Sequence, residues 1–189
     1  MLEVRTLGPY RTVLKAACLA LLLLPWARAG WGGEPPLAVF ECRCAGTPPQ
    51  DTFFNARLAC KALHGLVLTR GETLSFNRLM AKVRRYFKPG LTVSGNSTTL
   101  TQGGGICQVA TALYHAALLA GLEVKESHRH SAFLPVIDYC KEGEDAAVSL
   151  PAKDLKIKNS RSCAVRCQAY TTDGKAVILK IFDCGANKL

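Results

Sequence analysis

The chain has 189 residues, a formal net charge of +10 at pH 7 and a hydrophobic fraction of 49%. This length is sufficient for one domain with a hydrophobic core. The basic charge suits contact with anionic polymers or acidic lipids, or simply keeps the protein soluble. The sequence lacks a basic stripe interleaved with aromatic residues, which argues against a nucleic-acid-binding protein.

The N-terminal residues have the pattern of a secretory signal peptide. Basic residues precede a short apolar run at 16–26, and Ala27-Arg28-Ala29 forms a small-residue cleavage pattern. The run is too short to span a membrane comfortably, and no other stretch of the sequence is long and apolar enough. We therefore expect an exported, extracytoplasmic protein with no membrane span after signal cleavage. Its predicted parts are a signal peptide at 1–29, a Gly- and Pro-rich linker at 30–50, and one domain at 51–189.

The first half of the domain predicts two helices and one short strand. Asp51 is a favourable N-cap for the first helix, and Gly65 follows its last residues. The predicted elements are a helix at 51–63, a strand at 66–68, a short basic helix at 78–88 and a polar loop at 91–102.

At the centre of the domain, a glycine triplet at 103–105 runs almost directly into Cys107. Residues 106–120 are rich in Ala and Leu and stop at Gly121, so they predict one helix. Its apolar residues surround the axis, which predicts burial on most sides. A thiol in the first turn lies at the positive end of the macrodipole, which favours the thiolate. Glycines lack Cβ atoms, so a substrate or another backbone can approach the sulfur. These features are typical of a nucleophilic cysteine.

After Gly121 the pattern changes from helical to alternating. Strands are predicted at 122–126, 131–139, 145–150, 155–159, 164–170 and 176–183. Helices followed by a run of strands indicate an α+β fold. We expect a mostly antiparallel sheet packed on the buried helix that carries Cys107.

Disulfide bonds are the main alternative role for the cysteines. The sequence contains 9 cysteines, and Cys18 lies in the predicted signal. The eight cysteines that remain are an even number, which allows complete pairing in an oxidising compartment. The connectivity of such disulfides does not follow from the sequence. Cys107 is therefore either a free nucleophile or half of a disulfide. The paired C-x-x-C spacing of a zinc site is missing, so we expect no metal and no cofactor.

Two histidines and one aspartate are candidates to activate the thiol. A thiol nucleophile needs a base within hydrogen-bond reach, and that base benefits from a carboxylate that orients it. His128 and His130 follow the central helix, and Asp145 follows both. The two histidines are two residues apart, so on a strand both would face the same side.

The motifs around these residues resemble a known family. The sequence Gly-Gly-Gly-Ile-Cys-Gln-Val at 103–109, the pair His130-Ser131, Tyr139 and the segment 143–148 closely resemble the VanW family. This family is named for an accessory protein of vancomycin-resistance clusters, and the resemblance covers roughly residues 52–183. It implies a bacterial, envelope-associated protein.

The order Cys, His, Asp is also similar to that of transglutaminase-like thiol enzymes, a branch of the papain-like enzymes. This resemblance implies that Cys107 attacks an acyl carbon, that His130 is the general base and that Asp145 orients the imidazole. Backbone N–H groups near Cys107 and the side chain of Gln102 are implied to hold the oxyanion. The remaining residues expected to bind the oxyanion or the substrate are Gly104, Gly105, Gln108 and Tyr139.

Two functions follow as hypotheses. In the first, an exported protein hydrolyses or transfers acyl groups of cell-wall peptides through Cys107, with peptidoglycan or another anionic wall polymer as its partner. In the second, a non-catalytic domain binds the wall or serves as a scaffold, and Cys107 is structural.

Overall fold

The computed structural model describes residues 35–132 and 138–184; the predicted signal peptide lies outside them. Three helices are α1 (Gln50–Leu63), α2 (Phe76–Ala81) and α3 (Ile106–Leu119), and a 3₁₀ turn covers Arg84–Tyr86. The strands are β1 (Ala38–Arg43), β2 (Val67–Leu68), β3 (Thr73–Ser75), β4 (Pro89–Ser94), β5 (Ser97–Gln102), β6 (Glu123–Glu126), β7 (Lys156–Lys158), β8 (Val165–Thr172) and β9 (Ala176–Asp183). No helix among these residues is long and apolar enough to cross a membrane.

The strands form three antiparallel sheets. The largest has the order β1-β9-β8-β2, the second has the order β3-β7-β6, and β4 and β5 form a hairpin. Strands β8 and β9 are joined by a tight turn in which Asp173 and Gly174 have positive φ. Helices combined with antiparallel sheets confirm the predicted α+β class.

Helix α3 lies in the hydrophobic core, as the sequence predicts. It packs against β1 and β9 on one side and against α1 on another. Val109, Ala110, Ala112 and Ala116 are fully buried. The small alanine side chains allow the sheet and α1 to approach closely, and each buried Val or Leu contributes about 1.5–3 kcal/mol. The helix ends one residue earlier than predicted, before Gly121 with φ of 72°.

Strand β1 lies inside the segment 30–50 that the sequence predicts to be a linker. It pairs with β9 along its whole length, and the compact unit of the fold begins at Pro36. Ala38 and Cys42 are buried, whereas Glu41 and Arg43 are exposed. The predicted linker therefore contains an edge strand of the main sheet. Its alternation of buried and exposed residues is short, and the flanking Gly and Pro residues obscure it in the sequence.

Three further sequence predictions are wrong or incomplete. Residues 91–102 form most of the β4–β5 hairpin instead of a loop, with Gly95 at φ of 57° in its turn. The described residues of the predicted strand 131–139 lie in bends and turns, and 133–137 lie outside the description. Residues 145–150 form only an isolated bridge at Ser149. Two backbone N–H groups of this segment find partners outside a sheet, since those of Ala146 and Ala147 donate to Thr111 Oγ1 and the His128 carbonyl.

Candidate functional site

Cys107 occupies the first turn of α3. The helix starts after Gly105, which has φ of 104°, and no side chain caps it. The Cys107 Sγ lies 3.5 Å from the carbonyl oxygen of Val148. Burial raises the pKa of the Cys107 thiol. The desolvation of a buried anion therefore opposes the thiolate that the helix macrodipole favours.

The glycine triplet before Cys107 is packed against other backbone. A Cβ atom on Gly104 would lie 2.0 Å from the carbonyl oxygen of Gly90, and one on Gly105 would lie 2.3 Å from that of Thr52. The buried Asn55 side chain donates Nδ2–H to the carbonyl of Gly104 at 2.9 Å. Of the two explanations that the sequence allows, close approach of another backbone accounts for Gly104 and Gly105.

His130 and Asp145 form a buried pair. The His130 Nδ1 lies 2.7 Å from Asp145 Oδ2, and the two side chains are only 9% and 3% exposed. The backbone N–H of His130 also donates to Oδ2, at 2.8 Å. Because a carboxylate accepts hydrogen bonds, this contact favours the tautomer with its proton on Nδ1. The second ring nitrogen, Nε2, is then the basic atom.

The structure distinguishes the two candidate histidines. His128 Nε2 lies 2.9 Å from Glu126 Oε1, and this pair is about one-third exposed. His130 lines the same cavity as Cys107, whereas His128 does not. Among the described residues, His130 is therefore the better candidate for a base.

The cavity in front of Cys107 has a volume of about 390 Å³. Every sequence-predicted site residue except Asp145 contributes to its lining, and Asp145 reaches the site through His130. The predicted residues in the lining are Gln102, Gly104, Gly105, Cys107, Gln108, His130 and Tyr139. This volume is in the range of small-molecule and peptide side-chain pockets.

The side chains of two predicted binding residues already have hydrogen-bond partners. Gln108 is buried, and its Nε2 donates to the carbonyls of Cys42 at 2.8 Å and Lys175 at 3.0 Å. Both amide hydrogens are used to attach α3 to β1 and to the β8–β9 turn, so Gln108 lacks a spare donor for an oxyanion. Gln102 is exposed, with a longer contact of 3.4 Å from Nε2 to the carbonyl of Arg84.

Tyr139 lines the cavity with a half-buried side chain. Burial raises the pKa of its hydroxyl well above the ordinary value, and the neighbouring Cys107 adds to this effect. The neutral hydroxyl is therefore available to donate a hydrogen bond to a bound ligand.

Thr111 is a positioning residue that the sequence analysis missed. It lies one turn after Cys107 and is fully buried, and its Oγ1 accepts the N–H of Ala146 at 2.9 Å. This bond holds the segment that carries Asp145 and Val148 against α3. A hydroxyl four residues after the cysteine, in an otherwise apolar helix, is the signal that could have identified it.

The described residues contain neither a disulfide bond nor a metal site. Their eight cysteines are all present as thiols. No cluster of three or more His, Cys, Asp or Glu side chains within 35–132 and 138–184 is arranged to hold a metal ion.

Comparison with known proteins identifies related sequences. The family model described as VanW like protein matches residues 52–182. The Vancomycin B-type resistance protein VanW of Enterococcus faecalis (strain ATCC 700802 / V583) is 34% identical over 161 residues, which cover 78% of this chain and 58% of the relative. The uncharacterized protein YoaR of Bacillus subtilis (strain 168) is 31% identical over 127 residues, covering 66% and 41%. The chain thus spans less than two thirds of either relative, and no solved structure matches it significantly.

Proposed function

Because the chain belongs to the VanW-like family, we propose that it is an exported envelope protein that hydrolyses or transfers acyl groups of cell-wall peptides through Cys107. The name of the Enterococcus relative associates that protein with vancomycin resistance, which supports a cell-wall substrate. The observation that carries the enzyme proposal is the buried His130–Asp145 pair, with His130 on the same cavity as Cys107. Thiol acyl transfer requires an oriented imidazole within reach of the thiol.

In the proposed reaction, His130 Nε2 takes the proton from the Cys107 thiol as the sulfur attacks a carbonyl carbon. Burial raises the pKa of this thiol, so the base must act during attack instead of maintaining a resting thiolate. The uncapped N–H groups in the first turn of α3 stabilise the oxyanion. The imidazolium then protonates the leaving amine, and water or a second amine attacks the thioester and regenerates the thiol.

Basic residues beside the cavity support an anionic wall polymer as the partner. Arg84 lines the cavity, and Lys82 and Arg85, which are close to Arg84 in the sequence, are exposed. Exposed cations attract a polyanion most strongly at low ionic strength. Binding of isolated wall polymer should therefore weaken as salt increases.

The enzyme proposal is tested by incubating the full chain with purified peptidoglycan and measuring released or transferred peptides by mass spectrometry. Cys107→Ala and His130→Ala should each lower the rate at least about 1000-fold, whereas Asp145→Asn should retain more activity because it only orients the base. His128→Ala is the matched control and should leave the rate unchanged. Equal rates for wild type and Cys107→Ala would contradict the proposal.

A second function is favoured by the environment of the thiol. The Cys107 contact to the Val148 carbonyl and the raised pKa also suit a structural cysteine in a non-catalytic wall-binding domain. In that case wild type and Cys107→Ala should bind peptidoglycan equally in sedimentation assays, and neither should produce new peptides. Turnover that depends on Cys107 would exclude this alternative.

A further inference from the structure

Cys42 contacts the peptide unit that leads to Cys140, and the two residues before Cys140, Asp138 and Tyr139, line the cavity. Cys42 is fully buried on β1, and its Sγ lies 3.7 Å from the carbonyl oxygen of Tyr139. This carbonyl belongs to the peptide unit that joins Tyr139 to Cys140. The Cys42 sulfur is therefore one peptide unit away from the Cα of Cys140, a half-buried cysteine.

We propose that Cys42 and Cys140 form a disulfide bond on oxidation and thereby fasten residues 138–140 to β1. Disulfide formation requires short Cα and Cβ separations, which the contact with the adjoining peptide unit supports. The proposal goes beyond the proposed function, because it does not depend on catalysis by Cys107.

The chemistry requires an external oxidant, which we identify by class as a disulfide compound. The Cys140 thiolate attacks this disulfide, forms a mixed disulfide and releases one thiol. The Cys42 thiolate then attacks the Cys140 sulfur and releases the second thiol. Two protein thiols thus lose two protons and two electrons, and the oxidant is reduced to two thiols. The half-buried Cys140 is the accessible site for the first step.

Other contacts favour Cys42 over its neighbour Cys44 as the partner. Burial is the main cause that raises the pKa of the Cys44 thiol to about 12, and the Asp138 carboxylate adds to this effect. The Cys42 sulfur contacts the carbonyl oxygen of Tyr139, in the peptide unit that leads directly to Cys140. Because this contact is made by Cys42 and not by Cys44, Cys42 is the candidate partner of Cys140.

The disulfide would shape the cavity. Asp138 and Tyr139, which precede Cys140, both line the cavity, and the Asp138 carboxylate accepts the backbone N–H of Gly46 at 2.9 Å. In the reduced protein these non-covalent contacts hold the 138–140 segment in place. A covalent bond to β1 would fix this rim and also constrain the unfolded chain.

Peptide mapping of the full chain tests the proposal. Reduced protein is treated with oxidised glutathione, alkylated with iodoacetamide and digested with trypsin. Arg43 separates Cys42 from Cys44, so the two cysteines fall in different tryptic peptides. We expect most of the Cys140 peptide to be linked to the Cys42 peptide. A Cys140 peptide that is alkylated, or linked to another cysteine, would overturn the assignment.

The rate and the controls sharpen the test. Burial is the main cause that raises the pKa of Cys140 to about 12, so oxidation should accelerate about tenfold per unit of pH between pH 7.5 and 9. Cys44→Ser should retain the linked peptides, and Cys140→Ser should eliminate them. Wild type should show a higher Tm when oxidised than when reduced, and Cys140→Ser should not. An equal Tm for both forms of wild type would contradict the fastening role.

The same digest separates this inference from the proposed function. An alkylated Cys107 peptide is required by the enzyme proposal, whereas the Cys42–Cys140 assignment is judged from its own two peptides. Finding Cys107 in a disulfide would therefore contradict only the enzyme proposal.

Discussion

Replacing Gly104 by alanine tests why glycines precede Cys107. The added Cβ would lie 2.0 Å from the carbonyl oxygen of Gly90 and 2.6 Å from that of Leu91. Both obstacles are backbone atoms of β4, so no flexible side chain can move aside. One backbone must move by about 1 Å to reach 3.0 Å, the shortest separation that Cβ atoms show. The movement also strains the bond from Asn55 to the Gly104 carbonyl.

The expected cost is large for a single methyl group. Overpacking in a well-packed site costs about 1–3 kcal/mol, and a rigid backbone obstacle places Gly104→Ala near the upper end, at about 3 kcal/mol. For a domain of about 150 residues this corresponds to a decrease in Tm of about 6–12 °C. Gly104 does not have positive φ, so the effect is steric and not a consequence of backbone strain.

Gly46→Ala is the matched control at the same cavity. Its Cβ would meet only Asp138 Oδ2, at 3.7 Å, which is an ordinary contact, and its φ is not positive. We expect a free energy of unfolding unchanged or higher by up to about 1 kcal/mol, since alanine restricts the unfolded chain. Urea unfolding followed by circular dichroism measures both variants. A Gly104→Ala stability within about 0.5 kcal/mol of wild type would refute the packing explanation.

Three other predictions concern buried polar groups. Asn55→Ala leaves the backbone N–H of Lys88 and the carbonyl of Gly104 without their side-chain partner. It should therefore lower the free energy of unfolding, measured in urea, by about 3 kcal/mol. Replacing the exposed Lys61 of the same helix by alanine should lower it by less than about 0.5 kcal/mol. Burial raises the pKa of the Cys60 and Cys167 thiols to about 12. The stability that these two thiols contribute is therefore complete below about pH 8.5 and falls by about 3 kcal/mol by pH 10, because the thiols of the unfolded chain ionise. A free energy of unfolding that stays constant over this pH range would contradict this prediction. At pH 7, the rate at which iodoacetamide alkylates the Cys107 thiol should be lower than the rate at which it alkylates the thiol of free glutathione. A higher rate for Cys107 would indicate a resting thiolate.

The sequence predicts the central helix and its neighbours well, because their signals are local. Alanine and leucine favour a helix from Ile106, and Gly121 ends it within one residue of the expected position. The alternating apolar residues of β8 and β9 likewise predict strands, and the Asp173-Gly174 turn joins them. By contrast, the sequence predicts a linker where β1 lies, because a single edge strand gains its stability from pairing with β9, which is distant in sequence.

The sequence alone determined the chemistry that is available: a cysteine at the start of an apolar helix, followed by histidine and aspartate. Only the tertiary structure decided how these groups are used. It brings Asp145 to His130 through a segment that is not a strand, and it packs Gly104 against Gly90. It also raises the pKa of Cys107, although the helix end alone predicts the opposite. Helix formation and dipoles depend on neighbouring residues, whereas desolvation and close backbone contact depend on segments that folding brings together from distant parts of the chain.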